Sequence, residues 1–331
     1  MKRLVVGGLA VACCACAPQG ENTLMVYSAR NEELIRPVFE FYESQNGVAI
    51  DYVTDQAGPL LERLKAEGDR TPADVLLTVD AGNLWHAAEA GLLQPLDSEV
   101  LDANIPAHLR DRDDRWFGLS VRARTIVYNT ENSGPEELSG YEDLADAAWS
   151  GRLCLRTSKK VYNQSLVAML IAQHGEEEAE RIVRGWVDNL ATNVFANDTQ
   201  VLEAVAAGQC DVGIVNTYYY GRLLKDKPNL PIKLFWPDED TGGVHVNVSG
   251  AGVTRYAPHA DEAQAFLEWL SSGEAQAMFA GLNLEYPVNP DVEMDPDVAD
   301  WGQFEASELP LTEAGERQVA AVRLMDRVGY H

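Results

Sequence analysis

The chain has 331 residues, 46% hydrophobic and 24% charged, which is enough apolar material for a large core and argues against wholesale disorder. Its 52 acidic and 26 basic residues give a net charge of -26, which speaks against nucleic-acid or anionic-membrane partners, because phosphate binding needs clustered Lys and Arg. The length fits two domains better than one.

The start predicts export. Met1-Lys2-Arg3 is basic, and Leu4 to Ala12 is apolar but too short for a permanent bilayer span. Ala15-Cys16-Ala17 resembles a signal-peptidase site, although Pro18 follows awkwardly. The other reading is a lipoprotein signal in which Cys13 or Cys16 becomes the lipidated first residue. The export signal is expected within residues 1–17, in the lipoprotein form. Cys154 and Cys210 then remain in the exported chain, where a disulfide is permitted. Each lies in an apolar strand-like run, so two buried thiols fit the pattern as well, and neither has the His or Cys spacing of a zinc site.

Thr23 to Ser28 reads as a strand, and Asn31 to Asn46 as a helix with Leu34, Ile35, Val38, Phe39 and Tyr42 at helical period. Val48 to Val53 is a second strand, Leu60 to Glu67 a helix, and Ala73 to Val79 a continuous apolar strand. Asp80-Ala81-Gly82 then turns into a helix at Asn83 to Glu89. This β-α alternation predicts a parallel sheet covered by helices. A second series follows Val121: strand Thr125 to Tyr128, a helix beginning at Tyr141, strand Leu153 to Arg156, helices Asn163 to Gln173 and Glu176 to Asn189, a helix capped by Asn197, and strand Cys210 to Val215. His245 to Val253 reads as an extended return crossing. Helices are expected at Asp261 to Leu270, Gly273 to Ala280 and Thr312 to Arg327. The fold class is therefore α/β with two lobes, and ligands are expected in the cleft beyond the carboxyl ends of the strands.

Tyr218-Tyr219-Tyr220 directly follow an apolar strand. In a turn or first helical turn, neighbouring side chains diverge by about 100° and two phenols can converge. Tyr162 sits at the matching place after the strand Leu153 to Arg156. Several phenols on one cleft suit a hard cation. A phenol titrates near 10 in water, so ionising three of them needs a strong charge beside them, and three phenolates neutralise a trivalent ion such as Fe(III). Bland readings compete. Tyr162 alone reads as a packing residue at a helix start, and Tyr218 and Tyr219 as an aromatic wall for an organic ligand. Of Arg122 and Arg124, one is expected at the surface. Asp80 reads as an N-cap more readily than as an acid supporting the site. The acidic runs Asp111 to Asp114 and Asp291 to Asp300 read as solvated loops, and His245 as structural.

The stretches V-Y-S-A-R-N-E-E-L-I (Val26 to Ile35), A-D-V-L-L-T-V-D-A-G, G-L-S-V-R-A-R (Gly118 to Arg124), K-K-V-Y-N-Q-S-L-V-A (Lys159 to Ala168), D-V-G-I-V-N-T-Y-Y, H-V-N-V-S-G-A-G-V and E-Y-P-V-N-P (Glu285 to Pro290) make the chain resemble the periplasmic ferric-ion-binding proteins. These are the substrate-binding subunits of ABC-type iron importers. The resemblance runs from near residue 24 to at least 290, and Y-N-Q-S-L-V-A together with N-T-Y-Y is its specific part. It implies a two-lobe periplasmic binding protein fold: residues 18–122 as lobe 1, 123–246 as lobe 2, 247–292 returning to lobe 1, and C-terminal helices at 293–331 on lobe 2. It implies Tyr162, Tyr218 and Tyr219 as ferric ligands, with Arg30, Arg122 and Asn31 holding an anion or supporting the site and Tyr220 in a supporting or packing role. Some members add a His or Tyr from lobe 1 just after the first strand. Ala29-Arg30-Asn31-Glu32 has neither, which favours a three-tyrosine site completed by carbonate or water, with Asn31 or Glu32 as further donors on closure. The implied protein is no enzyme. It is a monomer in the periplasm, with a lipid anchor as an option, working with an ABC permease and its ATPase. The rival function is binding of an organic cation such as a polyamine or thiamine. No nucleophile elbow, H-E-x-x-H or Ser/His/Asp order points to catalysis.

Overall fold

The structure is a computed structural model that describes residues 23–331. The expected export signal, with Cys13, Cys14 and Cys16, lies outside the described residues.

Eight strands and thirteen helices occur in the described chain. The order is β1 (Thr23–Ser28), α1 (Glu32–Asn46), β2 (Ala49–Thr54), α2 (Ala57–Glu67), β3 (Val75–Thr78), α3 (Ala81–Glu89), α4 (Glu99–Asn104) and β4 (Phe117–Asn129). Then come β5 (Leu153–Cys154), α5 (Val161–His174), α6 (Glu176–Asp188), α7 (Asp198–Ala206), β6 (Val212–Asn216), α8 (Thr217–Asp226), β7 (Ile232–Phe235) and β8 (Val246–Val253). The chain ends with α9 (Ala260–Leu270), α10 (Gly273–Asn283), α11 (Pro296–Ala299), α12 (Thr312–Glu316) and α13 (Gln318–Arg327). No described helix is long and apolar enough to cross a membrane.

Strand β4 joins the two halves. Phe117 to Ala123 pair with β8, beside β3, β1 and β2, whereas Arg124 to Tyr128 pair with β6 and Ile126 to Asn129 with β7. The change of partner falls at Ala123/Arg124, so one strand carries two sheets. The sequence suggested a separate strand at 125–128; the polar positions Ser120, Arg122 and Arg124 obscured its continuity with Gly118 to Arg124. One hydrophobic core gathers residues from Leu24 to Leu119 with Val248 to Leu270, and takes in Leu311. A second gathers Ile126 to Trp186 with Val212, Ile214 and Ala321 to Tyr330. The C-terminal segment therefore starts in the first core and ends in the second, and α12 packs on both α3 and α5.

Several local expectations change. The predicted helix at 312–327 breaks into α12 and α13 at Arg317. Near Tyr141 only short 3-10 turns form, and Tyr141 itself is buried with its hydroxyl donating to the carbonyl of Arg124. Asp111 is not solvated. It is buried, and its carboxylate accepts from the Arg115 guanidinium at 2.6 Å. Cys154 and Cys210 are joined in a disulfide, which resolves the open choice. It links the end of β5 to the start of the β6 run.

Candidate metal centre

The site is built where strands end. β1 runs out at Ser28, and the chain turns through Ala29 and Arg30 into α1, whose N-cap is Asn31 accepting from the Glu33 amide. β3 ends before Asp80, which caps α3 through Gly82, as expected. β5 leads through Arg156 to α5, with Tyr162 in its first turn. β6 leads into α8, which opens Thr217-Tyr218-Tyr219-Tyr220. All of these ends face one pocket of about 170 Å³, lined by Arg30, Asn31, Arg122, Tyr162, Tyr218, Tyr219, Arg222 and Glu285 among others. That is smaller than the roughly 300–1,000 Å³ of pockets for drug-sized ligands.

Helical geometry sorts the tyrosine run. Successive residues are about 100° apart, so Tyr218 and Tyr219 share the pocket side and Tyr220 turns away. Their rings lie 4.4 Å apart. Tyr220 does not line the pocket. It packs edge-on against Trp301, with its hydroxyl facing the Ile232 carbonyl, which is the packing alternative of its two expected roles and keeps it from holding an anion in the pocket. Gly221 lets α8 lie flush on Trp301, where a Cβ would overlap the indole. Arg222, four residues after Tyr218, returns to the pocket face, and its guanidinium sits 4.9 Å from the Tyr218 ring centre.

Three arginines reach the pocket in different states. Arg30 donates to Glu285 at 2.9 Å, and Ser120 donates to the same carboxylate oxygen at 2.6 Å. Burial alone would raise the Glu285 carboxyl, but Arg30 and the Ser120 hydroxyl hold it below the usual carboxylate range. Arg122 reaches the Val79 carbonyl, Ser249 and, at 3.6 Å, Asp80. The Asp80 carboxyl, fully buried, is pushed up to about 6, with Arg122, Ser165 and the Gly82 amide opposing the shift. Both Arg122 and Arg124 are buried, 3% and 2% exposed, so the expected surface arginine does not exist. Arg124 lies behind the tyrosines. It donates to Asn163, Asn216 and Asp198, fixing the starts of α5, α7 and α8 to one another.

Burial raises Tyr162, partly offset by the Arg122 guanidinium, and burial with the neighbouring phenols raises Tyr218 well above 10. His245, pushed down to about 3 by burial and then by Arg124 and Arg122, is a neutral interior residue and does not line the pocket. Among the described residues no group of three His, Cys, Asp or Glu side chains is placed to hold a metal. Phenols are the abundant oxygen donors here. Glu32 lies outside the lining and accepts from the Tyr52 hydroxyl at 3.1 Å.

The pocket therefore unites Tyr162, Tyr218, Tyr219, Arg30, Asn31 and Arg122 from the sequence reading and leaves out Tyr220. Arg222, Glu285 and Arg156 were missed. Arg222 was legible from its i+4 spacing to Tyr218, and Glu285 as a lone acid in the apolar run Leu284 to Val288.

A two-lobe α/β fold with phenols and arginines meeting at its strand ends defines an extracytoplasmic solute-binding protein. The chain belongs to the family of bacterial extracellular solute-binding proteins, whose model matches residues 70–306. It is 39% identical to iron uptake protein A1 of Synechocystis over 99% of this chain and 95% of the relative, and 42% identical to iron uptake protein A2 of the same organism over 93% and 90%. Among solved structures it is similar to Trichodesmium FutA (IdiA) in complex with iron and citrate, with a TM-score of 0.89 and 41% identity over 93% of this chain and all of that one. The ferric binding protein of Campylobacter jejuni superposes with a TM-score of 0.87 at 35% identity, over 93% and 100%.

Proposed function

We propose that this chain is the periplasmic binding protein of an ABC iron importer and captures Fe(III) between its lobes. The observation that carries this reading is the meeting of Tyr162, Tyr218 and Tyr219 in one small pocket. Three tyrosinates balance the charge of a ferric ion and are the ligands assigned here. Each phenol gives up a proton as the ion arrives, and the ion's charge makes that loss favourable. Arg30, Arg122 and Arg222 against Glu285 and, behind Arg122, Asp80 leave surplus positive charge on the pocket wall, which suits a small anion bound with the iron, such as carbonate; planar guanidinium forks match its oxygens. Hinge closure about β4 and β8 would bury the ion and present the closed form to the permease and its ATPase. The protein works as a monomer. A lipid anchor at Cys13 or Cys16 would tether it to a membrane.

An organic cation fits less well. Three arginines line the pocket, and they repel a ligand that arrives without its own anions. The test is the visible spectrum of the metal-free protein after Fe(III)-citrate is added, beside Tyr219→Phe. A broad phenolate-to-iron charge-transfer band, lost or shifted in the variant, is the expected result. Absence of the band near neutral pH would overturn the reading.

A further inference from the structure

Arg156 is not part of the pocket wall, yet it lies beneath two of its tyrosines. Its guanidinium carbon is 5.4 Å from the ring centre of Tyr162 and 5.9 Å from that of Tyr219. Arg122 lies 5.2 Å from the Tyr162 ring centre as well, so that ring has two guanidinium groups beside it. The Arg156 side chain is buried, 4% exposed, at the end of the β5 run. Its carboxylate neighbour is Asp198, with Nη1 at 3.5 Å from Oδ1. The other Asp198 oxygen is taken by Arg124 at 3.1 Å and by the Asn216 amide at 3.2 Å. Nε and Nη1 of Arg156 have no hydrogen-bond partner among the described residues. A buried guanidinium in this state is costly, and packing alone would be served by a long apolar side chain. Asp198 offsets part of that cost, and the pair of aromatic rings it touches offsets more of it.

The backbone at Arg156 is held firmly. Its carbonyl accepts from the Asn163 amide at 3.0 Å and from the Tyr330 hydroxyl at 2.7 Å. The charge is therefore tied to the start of α5, which carries Tyr162, and reaches across to α8, which carries Tyr219.

We infer that Arg156 is a positioning residue for the ferric site, holding Tyr162 and Tyr219 at their mutual spacing and lowering the energy of their donor electrons through a fixed charge beneath both rings. This rests on the ferric reading. Once the phenols ionise on the metal, the attraction between ring and guanidinium strengthens, so Arg156 favours the loaded site over the empty one. Its loss raises the phenolate donor levels and narrows the gap to the ferric acceptor levels.

The experiment compares the parent protein with Arg156→Gln and Arg156→Lys, each loaded from Fe(III)-citrate. Three quantities are read: the charge-transfer maximum, the rate of iron loss to excess chelator, and the urea midpoint of the metal-free chain. Arg156→Gln is expected to move the band to longer wavelength and to release iron roughly thirtyfold faster, the size of one desolvated cation–π contact. Arg156→Lys keeps the charge and should fall between the parent and Arg156→Gln. A band unmoved in both variants, whatever happens to the urea midpoint, reduces Arg156 to packing and overturns the inference, and Arg156→Lys indistinguishable from Arg156→Gln overturns the charge argument. A parent protein with no band at all sinks the ferric reading instead, and the positioning role with it.

Discussion

Lowering the pH from 7 to 6 is expected to weaken ferric binding by about a thousandfold. Burial holds Tyr162 and Tyr218 above the ordinary phenol value in the metal-free protein, so they carry their protons throughout the neutral and acid range. If Tyr162, Tyr218 and Tyr219 all ligate as phenolates, three protons leave for each ion bound. The binding constant then falls tenfold per proton per pH unit, which for three protons is about 4 kcal/mol per unit at 1.36 kcal/mol each. The sign is fixed, since protons compete with the metal and acid favours release. Asp80, at about 6, adds a smaller contribution in the same direction below that pH, because protonating it removes a negative charge from behind the pocket and leaves the wall more repulsive to a cation. The direct assay is proton release into weak buffer as ferric nitrilotriacetate is added to the metal-free protein, after correction for the chelator's own protons. Three protons per iron are expected, and two for Tyr162→Phe. A count near one in the parent protein would refute tyrosinate ligation by this trio.

Other consequences are quickly stated. Removing the Cys154–Cys210 disulfide by paired alanine substitution frees a 56-residue span and should cost about 4 kcal/mol in urea unfolding; a loss under about 1 kcal/mol would mean that the strands β5 and β6 constrain the span unaided. Arg124→Leu leaves the buried Asp198 with only the longer contact to Arg156 and should destabilise by about 3–5 kcal/mol, with iron uptake lost alongside; a small change would show that Arg156 alone compensates Asp198. Asp80→Asn should change the pH dependence of stability. A buried carboxyl raised to about 6 binds protons more tightly folded than unfolded, so the parent loses stability as pH rises from about 4 to 6, by about 3 kcal/mol across that window. The asparagine variant should not show that loss, and parallel curves of urea midpoint against pH would disprove it.

Much of the lobe architecture was legible because long apolar strands and periodic helices carry their own signal. Leu76 and Leu77 in β3 and Ile214 and Val215 in β6 are buried on every side, and the glycine stops at Gly47, Gly68 and Gly208 bound the helices between them. The tyrosine pair was legible because it follows such a strand directly. What stayed hidden were the charges behind it. Arg124 and Arg156 sit in apolar surroundings that a sequence pattern assigns to hydrophobic side chains, and their partners come from far along the chain: Asp198, Asn163 and Asn216 for Arg124, and Asp198 with two aromatic rings for Arg156. Pairing over such separations leaves no local trace. The helix also sets Tyr220 apart from the tyrosine pair, as the sequence reading did, because it turns each residue of the run by about 100° and sends the third into Trp301. The same turn brings Arg222 back beside Tyr218, so the run is best read as four positions on a helix: two facing the pocket, one facing the core, and one cation returning to the pocket a turn later.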